Sequence, residues 1–331
     1  MDELVVAAQV DAVLSWDYAA RSDRIADLYQ RGKRAQWNAA TDIDWSVRVD
    51  FHSPLPDGSG YALAAFHDSV LGRYGRGMWD TFRWEFQAWI VSQFLHGEQG
   101  ALVATARLAE LLPDVSAKLF AAGQVGDEAR HVEAFSRYVE QCVPQPYPVS
   151  GPLADLLRDI LTDSRWDVTT LGMQIVVEGL ALASLRLTDA SFHDPLIRQI
   201  GRLVARDEAR HVSFGVLALA GAYGEMTAAE RAQREEFVLD AAELMRRRFL
   251  LEDIWDRLGV DVAAGREFAL SNDLMVRYRQ AVFAKVVSSL VRIGLMSPRV
   301  RDSLRRMGLL RYAGLASATA VREATRAPWW R

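Results

Sequence analysis

One pentapeptide, Asp-Glu-Ala-Arg-His, occurs twice in this chain and restricts its fold more than any other feature of the sequence. The copies occupy residues 127–131 and 207–211, and a further glutamate lies 30 residues before the glutamate of each copy, at Glu98 and Glu178. The chain therefore carries four glutamates and two histidines in two matched halves. A four-helix bundle with a dinuclear metal site uses this set of ligands.

Proline positions support an arrangement of two helical hairpins. In an antiparallel hairpin, residues equidistant from the turn lie at the same height, because each residue advances either helix by about 1.5 Å. The midpoint between Glu98 and the first motif glutamate is Pro113, and the midpoint between Glu178 and the second lies two residues before Pro195. Each upstream glutamate is thus predicted to lie level with the motif across its hairpin.

The predicted ligands face the interior of the bundle. The i, i+3 spacing places the glutamate and the histidine of each motif on one helix face, and apolar residues such as Phe94 and Leu102 surround these positions. Four buried carboxylates without a counter-charge are strongly unfavourable, and no lysine lies near them at helical spacing. Two divalent cations would supply the charge. The predicted metal ligands and catalytic residues are Glu98, Glu128, His131, Glu178, Glu208 and His211.

The ligand types indicate which metal is bound. A set rich in carboxylate, with one imidazole per metal, suits iron or manganese, whereas structural zinc prefers thiolate and imidazole. We expect two iron ions, Fe²⁺ or Fe³⁺, with a mixed Mn/Fe centre as the alternative. Asp127, Arg130, Asp207 and Arg210 complete the motifs. In our interpretation an aspartate accepts a hydrogen bond from a ligand histidine, and an arginine holds that aspartate.

The rest of the sequence predicts an all-α chain, because helical periodicity is widespread and strand signals are nearly absent. We expect a single enlarged domain, with a bundle core over residues 79–222, an N-terminal arm over residues 1–60 and accessory C-terminal helices over residues 223–331. Asp114 and Asp167 are predicted to cap two bundle helices.

The amino-acid composition argues against several functions and cellular locations. The formal charge of −4 argues against nucleic-acid binding by the whole chain. The lone Cys142 excludes a disulfide framework and a four-thiolate iron centre, and fits a reducing compartment. The N-terminal residues do not read as a secretory signal, and no apolar run reaches the roughly 18 residues of a membrane span. We expect a cytoplasmic protein without a membrane span.

The C-terminal segment is basic, with nine arginines against two acidic residues over residues 292–331. It is either a solvated face of terminal helices or a docking surface for an acidic electron-transfer protein. The arginines are Arg292, Arg299, Arg301, Arg305, Arg306, Arg311, Arg322, Arg326 and Arg331.

With these motifs, the chain resembles the ferritin-like superfamily of non-haem di-iron carboxylate proteins. The Asp-Glu-x-Arg-His form is most similar to that of the hydroxylase subunits of bacterial multicomponent monooxygenases. The resemblance implies that Glu128 and Glu208 bridge two irons. One iron would be bound by Glu98, Glu128 and His131, and the other by Glu178, Glu208 and His211.

Two glutamines and one dipeptide have roles that the sequence leaves open. Gln124 and Gln174 lie one turn before ligand positions, so each either lines the site or packs in the core. The pair Gln36-Trp37 is weakly similar to a segment that precedes the bundle in related oxygenases.

Other positions depart from individual subfamilies. Phe135 stands where radical-generating ribonucleotide reductase subunits carry a tyrosine, so a tyrosyl radical is not expected. Val204 stands where arylamine N-oxygenases carry a third histidine, and Leu182 where multicomponent hydroxylases carry a threonine. A single cysteine cannot build the iron domain of rubrerythrins.

The resemblance implies an O₂-dependent di-iron monooxygenase or oxidase that oxidises a small organic substrate beside the metals. The electrons would come from an external donor, a ferredoxin or reductase, because the sequence has no flavin or iron-sulfur motif. A homodimer is expected. Two alternatives stay open: a ferroxidase or other iron-handling protein, and a Mn/Fe oxidase with a bound lipid-like ligand.

Overall fold

The computed structural model describes residues 22–56, 60–187 and 192–310, with a few isolated positions before residue 22. No β-strand occurs within these ranges, which confirms the predicted all-α class. The α-helices of this part are α1 (Asp23–Arg34), α2 (Gly60–His67), α3 (Arg76–Leu111), α4 (Val115–Cys142), α5 (Gly151–Thr162), α6 (Trp166–Arg186), α7 (Pro195–Ala218), α8 (Ala228–Arg248), α9 (Glu252–Arg257), α10 (Val262–Ser271), α11 (Asp273–Arg292) and α12 (Pro298–Arg306).

Helices α3, α4, α6 and α7 form the bundle as two hairpins, α3 with α4 and α6 with α7. An aspartate begins the second helix of each hairpin. Asp114 accepts a hydrogen bond from the backbone nitrogen of Ala117 at 3.0 Å, and Asp194 accepts one from that of Ile197 at 2.9 Å. These caps satisfy backbone donors that the first helical turn leaves free, so both hairpins turn where the sequence predicts.

The predicted capping role of Asp167 is wrong. Helix α6 begins one residue earlier, and its N-cap is Arg165, which makes no side-chain capping bond. The buried Asp167 carboxylate instead accepts two hydrogen bonds from the Arg234 guanidinium of α8, at 2.8 and 3.1 Å. A partner 67 residues further along the chain overrides the local capping preference.

Helix α6 contains a π-helical segment, Leu171–Val177, directly before the ligand position Glu178. The backbone N–H of Glu178 donates to the carbonyl oxygen of Met173, five residues earlier. The wider turn changes the direction of the side chains that follow it, and such segments are frequent at functional sites. Simple helical periodicity does not predict this segment.

Within the described residues, α6 is long and apolar enough to cross a membrane, judged by length and composition alone. However, 83% of its most apolar window is buried inside the protein. This is the environment of a core helix, which is apolar on all sides because other helices surround it.

The remaining helices surround the bundle. Helix α1 packs against α4 and α7, α8 packs against α5, and α11 packs against α6. One set of buried apolar side chains extends from Trp37 in the N-terminal arm, through the bundle, to Leu309 after α12. On this basis we propose that arm, bundle and accessory helices form a single enlarged domain.

The variant Asp167→Asn should destabilise the protein by about 3 to 5 kcal/mol, because it leaves the buried Arg234 guanidinium without its counter-charge. The control Asp155→Asn breaks the exposed pair with Arg158 and should change the stability by less than about 1 kcal/mol. Urea unfolding followed by circular dichroism measures both effects. Equal unfolding midpoints for the two variants would contradict the role given to the buried pair.

Candidate metal centre

The structure brings the six predicted ligand residues together at the centre of the bundle. They come from all four bundle helices, and none is more than 4% exposed. Helix α3 carries Glu98, α4 carries Glu128 and His131, α6 carries Glu178, and α7 carries Glu208 and His211.

The first half of the site is centred on His131. Its Nδ1 atom lies 3.1 Å from Oε2 of Glu98, 3.2 Å from Oε2 of Glu128 and 3.3 Å from Oε1 of Glu208. Each of these four residues offers one ligand atom, and these atoms lie within 4.8 Å of one another. They are close enough to hold one metal ion.

The second half is centred on His211. Its Nδ1 atom lies 3.2 Å from Oε1 of Glu128, 3.5 Å from Oε2 of Glu208 and 3.9 Å from Oε2 of Glu178. Glu128 and Glu208 therefore each present one oxygen to either histidine, as a bridging carboxylate does. We propose that the six residues bind two metal ions, with Glu128 and Glu208 as the bridges.

The buried carboxylates leave the site short of positive charge. Burial, together with the charge of Glu208, raises the pKa of both Glu98 and Glu178 well above the usual value. Burial alone would lower the pKa of His131 and His211, but the surrounding carboxylates outweigh it and raise the pKa of both well above the usual value.

Two divalent cations fit this set of donors. Both carboxylate oxygens of Glu208, Oε2 of Glu178 and Nδ1 of His211 are buried and make no hydrogen bond to any part of the chain that the structure describes. Although these atoms lie near one another, they lack hydrogen-bonding geometry. Carboxylate oxygen with one imidazole per metal suits iron or manganese.

Each motif aspartate supports the histidine of the other motif. Nε2 of His131 lies 3.2 Å from Oδ2 of Asp207, and Nε2 of His211 lies 3.1 Å from Oδ2 of Asp127. The aspartates thereby orient each ring with its Nδ1 atom toward the glutamates. The sequence predicts the aspartate–histidine bond, but the exchange of partners between the two halves is visible only in the structure.

The two motif arginines hold these aspartates. Arg130 binds Asp127 and lies 3.6 Å from Asp207, while Arg210 lies 2.7 Å from Asp207 and 3.2 Å from Asp127. Burial alone would raise the pKa of Asp127, but the bond to His211 and the charge of Arg130 lower it well below the usual range. All four predicted supporting residues therefore lie beside the proposed ligands.

Two residues of the N-terminal arm join this network. Nε1 of Trp37 donates to Oδ2 of Asp207 at 2.7 Å, and the indole stacks on the His131 ring with centroids 6.1 Å apart. Nε2 of Gln36 donates to Oδ1 of Asp127 at 3.1 Å. Their weak resemblance to a segment of related oxygenases was the one sequence signal for these contacts.

The two glutamines of ambiguous role differ in their environment. Nε2 of Gln124 donates to Oε1 of Glu128 at 2.9 Å and to Oε1 of Glu178 at 2.8 Å, so Gln124 lines the site. Gln174 is fully buried in the π-helical segment, and its amide has no hydrogen-bond partner among the described residues.

The three positions that depart from known subfamilies are buried and apolar. Phe135 packs against Phe94, with ring centroids 5.6 Å apart, and Leu182 and Val204 are at most 1% exposed. None of these side chains carries an oxygen or nitrogen atom that could bind a metal.

A largely apolar cavity opens beside the proposed ligands. Glu98, Glu178 and Glu208 line it together with apolar side chains such as Phe94 and Leu180. The centre of a water molecule can occupy about 30 Å³ of this cavity. A small organic molecule that enters it would lie next to the proposed metal ligands.

One sequence family matches the chain. The model of the family described as "P-aminobenzoate N-oxygenase AurF" matches residues 104–294, which is more than half of the 331 residues. No curated protein matches the sequence.

Solved structures of R2-like ligand-binding oxidases with a Mn/Fe cofactor are similar in fold. One aerobically reconstituted form has 18% sequence identity and a TM-score of 0.53, over 85% of this chain and 94% of that chain. Two single-site mutants have 20% and 18% identity with TM-scores of 0.54 and 0.55, each over 85% of this chain and 95% of theirs. At this identity the similarity concerns the fold alone, and it confirms the ferritin-like bundle.

The variants Glu128→Ala and Glu98→Ala should differ in metal content after anaerobic loading with Fe²⁺. Glu98→Ala should lose about one of two ions per chain, whereas Glu128→Ala should lose more, because Glu128 contacts both halves of the site. Glu133→Ala, on the exposed side of the same helix, should keep both ions. Inductively coupled plasma mass spectrometry measures the ions. Unchanged metal in Glu128→Ala would rule out the proposed site.

Proposed function

Since the chain belongs to the AurF family of p-aminobenzoate N-oxygenases, we propose that it is an O₂-dependent oxygenase that inserts oxygen into a small organic substrate. Membership in this family makes the chain an oxidoreductase. The observation that carries the proposal is the apolar cavity lined by Glu98, Glu178 and Glu208, because a substrate that is oxidised at the metals must lie beside their ligands.

An arylamine is the first choice of substrate, since the family is described by one. Conversion of an amine to a hydroxylamine consumes one O₂, two electrons and two protons, and releases one water. Hydroxylation at carbon has the same balance and is the second choice, because Val204 stands where arylamine N-oxygenases carry a third histidine.

When bound, the two metal ions would supply electrons to O₂. The protein sets the conditions for that reaction. Gln124 holds the carboxylates of Glu128 and Glu178 by donating a hydrogen bond to each. The aspartate–histidine bonds keep each imidazole in one orientation. Apolar walls such as Phe94 and Leu180 exclude water from the substrate.

Two questions can be measured directly: which metals the site binds, and whether the protein handles iron instead of oxidising an organic substrate. Two iron ions are our first expectation, and a Mn/Fe centre is the alternative that the fold relatives contain. The cavity favours an organic substrate over iron handling, because apart from the proposed ligands no described residue of its wall is acidic, and the cation Arg248 would repel Fe²⁺. A homodimer and a cytoplasmic location stay predictions.

Reduced, Fe²⁺-loaded protein should transfer one ¹⁸O atom from ¹⁸O₂ to 4-aminobenzoate or to another member of a panel of arylamines, as detected by mass spectrometry. The variant Ala181→Phe should lower kcat/KM at least about tenfold without losing metal, because the added ring fills the cavity that Ala181 lines. Ala183→Phe, on the same helix but not in the cavity wall, is the control.

Two results would contradict the proposed oxygenase. One is the absence of labelled product from every arylamine and from carbon-hydroxylation substrates of the same size. The other is rapid, repeated oxidation of free Fe²⁺ with many irons retained per chain, which is the behaviour of an iron-storage protein.

We further propose that the electrons arrive from an acidic redox protein that docks at the end of α11 and on α12. Five exposed arginines lie there, and among the described residues only some have acidic partners, as Arg299 has in Glu236 and Arg305 in Asp302. The five are Arg292, Arg299, Arg301, Arg305 and Arg306. The other four arginines of the basic segment, Arg311, Arg322, Arg326 and Arg331, lie outside the described residues.

Raising the salt concentration from about 20 mM to about 300 mM should slow reduction by an acidic ferredoxin more than about tenfold, because salt screens the attraction between the surfaces. The double variant Arg301→Glu/Arg305→Glu should slow reduction similarly at low salt. Arg24→Glu, an exposed change on α1, should not. Stopped-flow absorbance measures the rates, and rates independent of both salt and the double variant would disprove the docking site.

A further inference from the structure

The cavity beside the metal ligands contains one cation among the described residues that line it, the guanidinium of Arg248 at the end of α8. The bundle provides the ligand side of this cavity, and the accessory helix α8 provides the cation. Arg248 is thus placed where it can contact a substrate that also reaches Glu98 and Glu178.

Arg248 has no anionic partner within the described part of the chain. Its Nε atom is shielded from solvent and makes no hydrogen bond. Burial lowers the pKa of Arg248 to about 10, so the side chain is still charged at neutral pH. By contrast, Arg246 on the same helix pairs with Glu243 at 2.8 Å. Arg248 is only partly exposed, and a cation that is partly withdrawn from water without a counter-charge is unfavourable, so an anion from outside the chain would complete this environment.

Aromatic rings support the Arg248 side chain without using its hydrogen-bond donors. The guanidinium carbon lies 5.2 Å from the centroid of the Trp89 ring and 5.7 Å from that of Phe249. A contact over a ring face stabilises the charge, but guanidinium donors point outward in its own plane. Those donors are therefore available for a carboxylate, which a guanidinium can bind through two parallel hydrogen bonds.

The neighbours of Arg248 indicate its height relative to the proposed metal ligands. Arg248 and Ser184, two residues of the cavity wall, both lower the pKa of Tyr278, so Tyr278 lies near each of them. Ser184 follows the ligand Glu178 by six residues on α6, which is about 9 Å along a helix axis. Apolar side chains such as Leu180 line the cavity between these two levels.

We propose that Arg248 determines substrate specificity by binding a carboxylate of the substrate, so that the opposite end of the molecule faces the metal ligands. The substrate is then a monoanion with an apolar body about one aromatic ring in length. This inference rests on the proposed function for the identity of the ligand as a substrate, but the binding itself does not require turnover.

The test compares matched ligands that differ in charge alone. Anaerobic isothermal titration calorimetry on the full-length, Fe²⁺-loaded protein measures binding of 4-aminobenzoate against 4-aminobenzamide, and of hexanoate against hexanamide. All variants keep the proposed metal ligands, so any affinity that a carboxylate gains at the metals is common to all of them. The variants are Arg248→Gln, Arg248→Lys and the control Arg247→Gln, which removes the same charge from the exposed neighbouring position.

Wild type and Arg247→Gln should bind at least one carboxylate about 10- to 100-fold more tightly than its amide, the ratio expected for a hydrogen-bonded charge. Arg248→Gln should lose this preference while its affinity for the amide changes little. Arg248→Lys retains the positive charge and should keep part of the preference for the carboxylate. This variant provides the test if Arg248→Gln does not fold.

Equal binding of acid and amide by the wild type, no binding of either carboxylate, or a preference that persists in folded Arg248→Gln would each overturn the inference. Failure of the proposed function would look different. In that case no labelled product would form with ¹⁸O₂, while the preference for a carboxylate over its amide in anaerobic binding would still depend on Arg248.

Discussion

The burial of four carboxylates between four helices is the constraint on which the rest of the structure depends. The polypeptide supplies two imidazoles at the same place, while the nearby guanidinium groups of Arg130 and Arg210 are occupied by aspartates. Two metal ions at the proposed site would supply positive charge to the glutamates. Binding of these metals and stability of the bundle would then be linked, because the glutamates repel one another without them.

The two halves of the bundle are joined through this charge. Glu128 and Glu208 each extend toward both histidines, and each histidine is oriented by an aspartate of the other hairpin. Trp37 adds the N-terminal arm to the same network through Asp207. A change in one hairpin would therefore alter the proposed metal ligands of the other, so that the two metal positions would share one environment.

The accessory helices have a different task from the bundle. The bundle presents the metal ligands, which accounts for the oxidative chemistry of the family. Helix α8 contributes Arg248 to the cavity, and α11 contributes Tyr278 beside it, while the exposed end of α11 and α12 carries the basic surface. In the proposed function, reaction type and substrate choice would therefore be carried by separate parts of one chain.

The sequence by itself determined the bundle, its two turns and the six proposed ligand positions. These features depend on short-range patterns. The i, i+3 spacing and the proline and aspartate signals act within one hairpin, and the repeat shows that the second hairpin has the same pattern. The tertiary structure alone decided the exchange of aspartates between the halves, the π-helical segment before Glu178, the contact of Trp37 with Asp207 and the pairing of Asp167 with Arg234. It also showed that Arg248 lines the cavity and has no acidic partner among the described residues. Such features depend on which distant residues meet, and neither periodicity nor composition records whether a given charge finds a partner once the chain has folded.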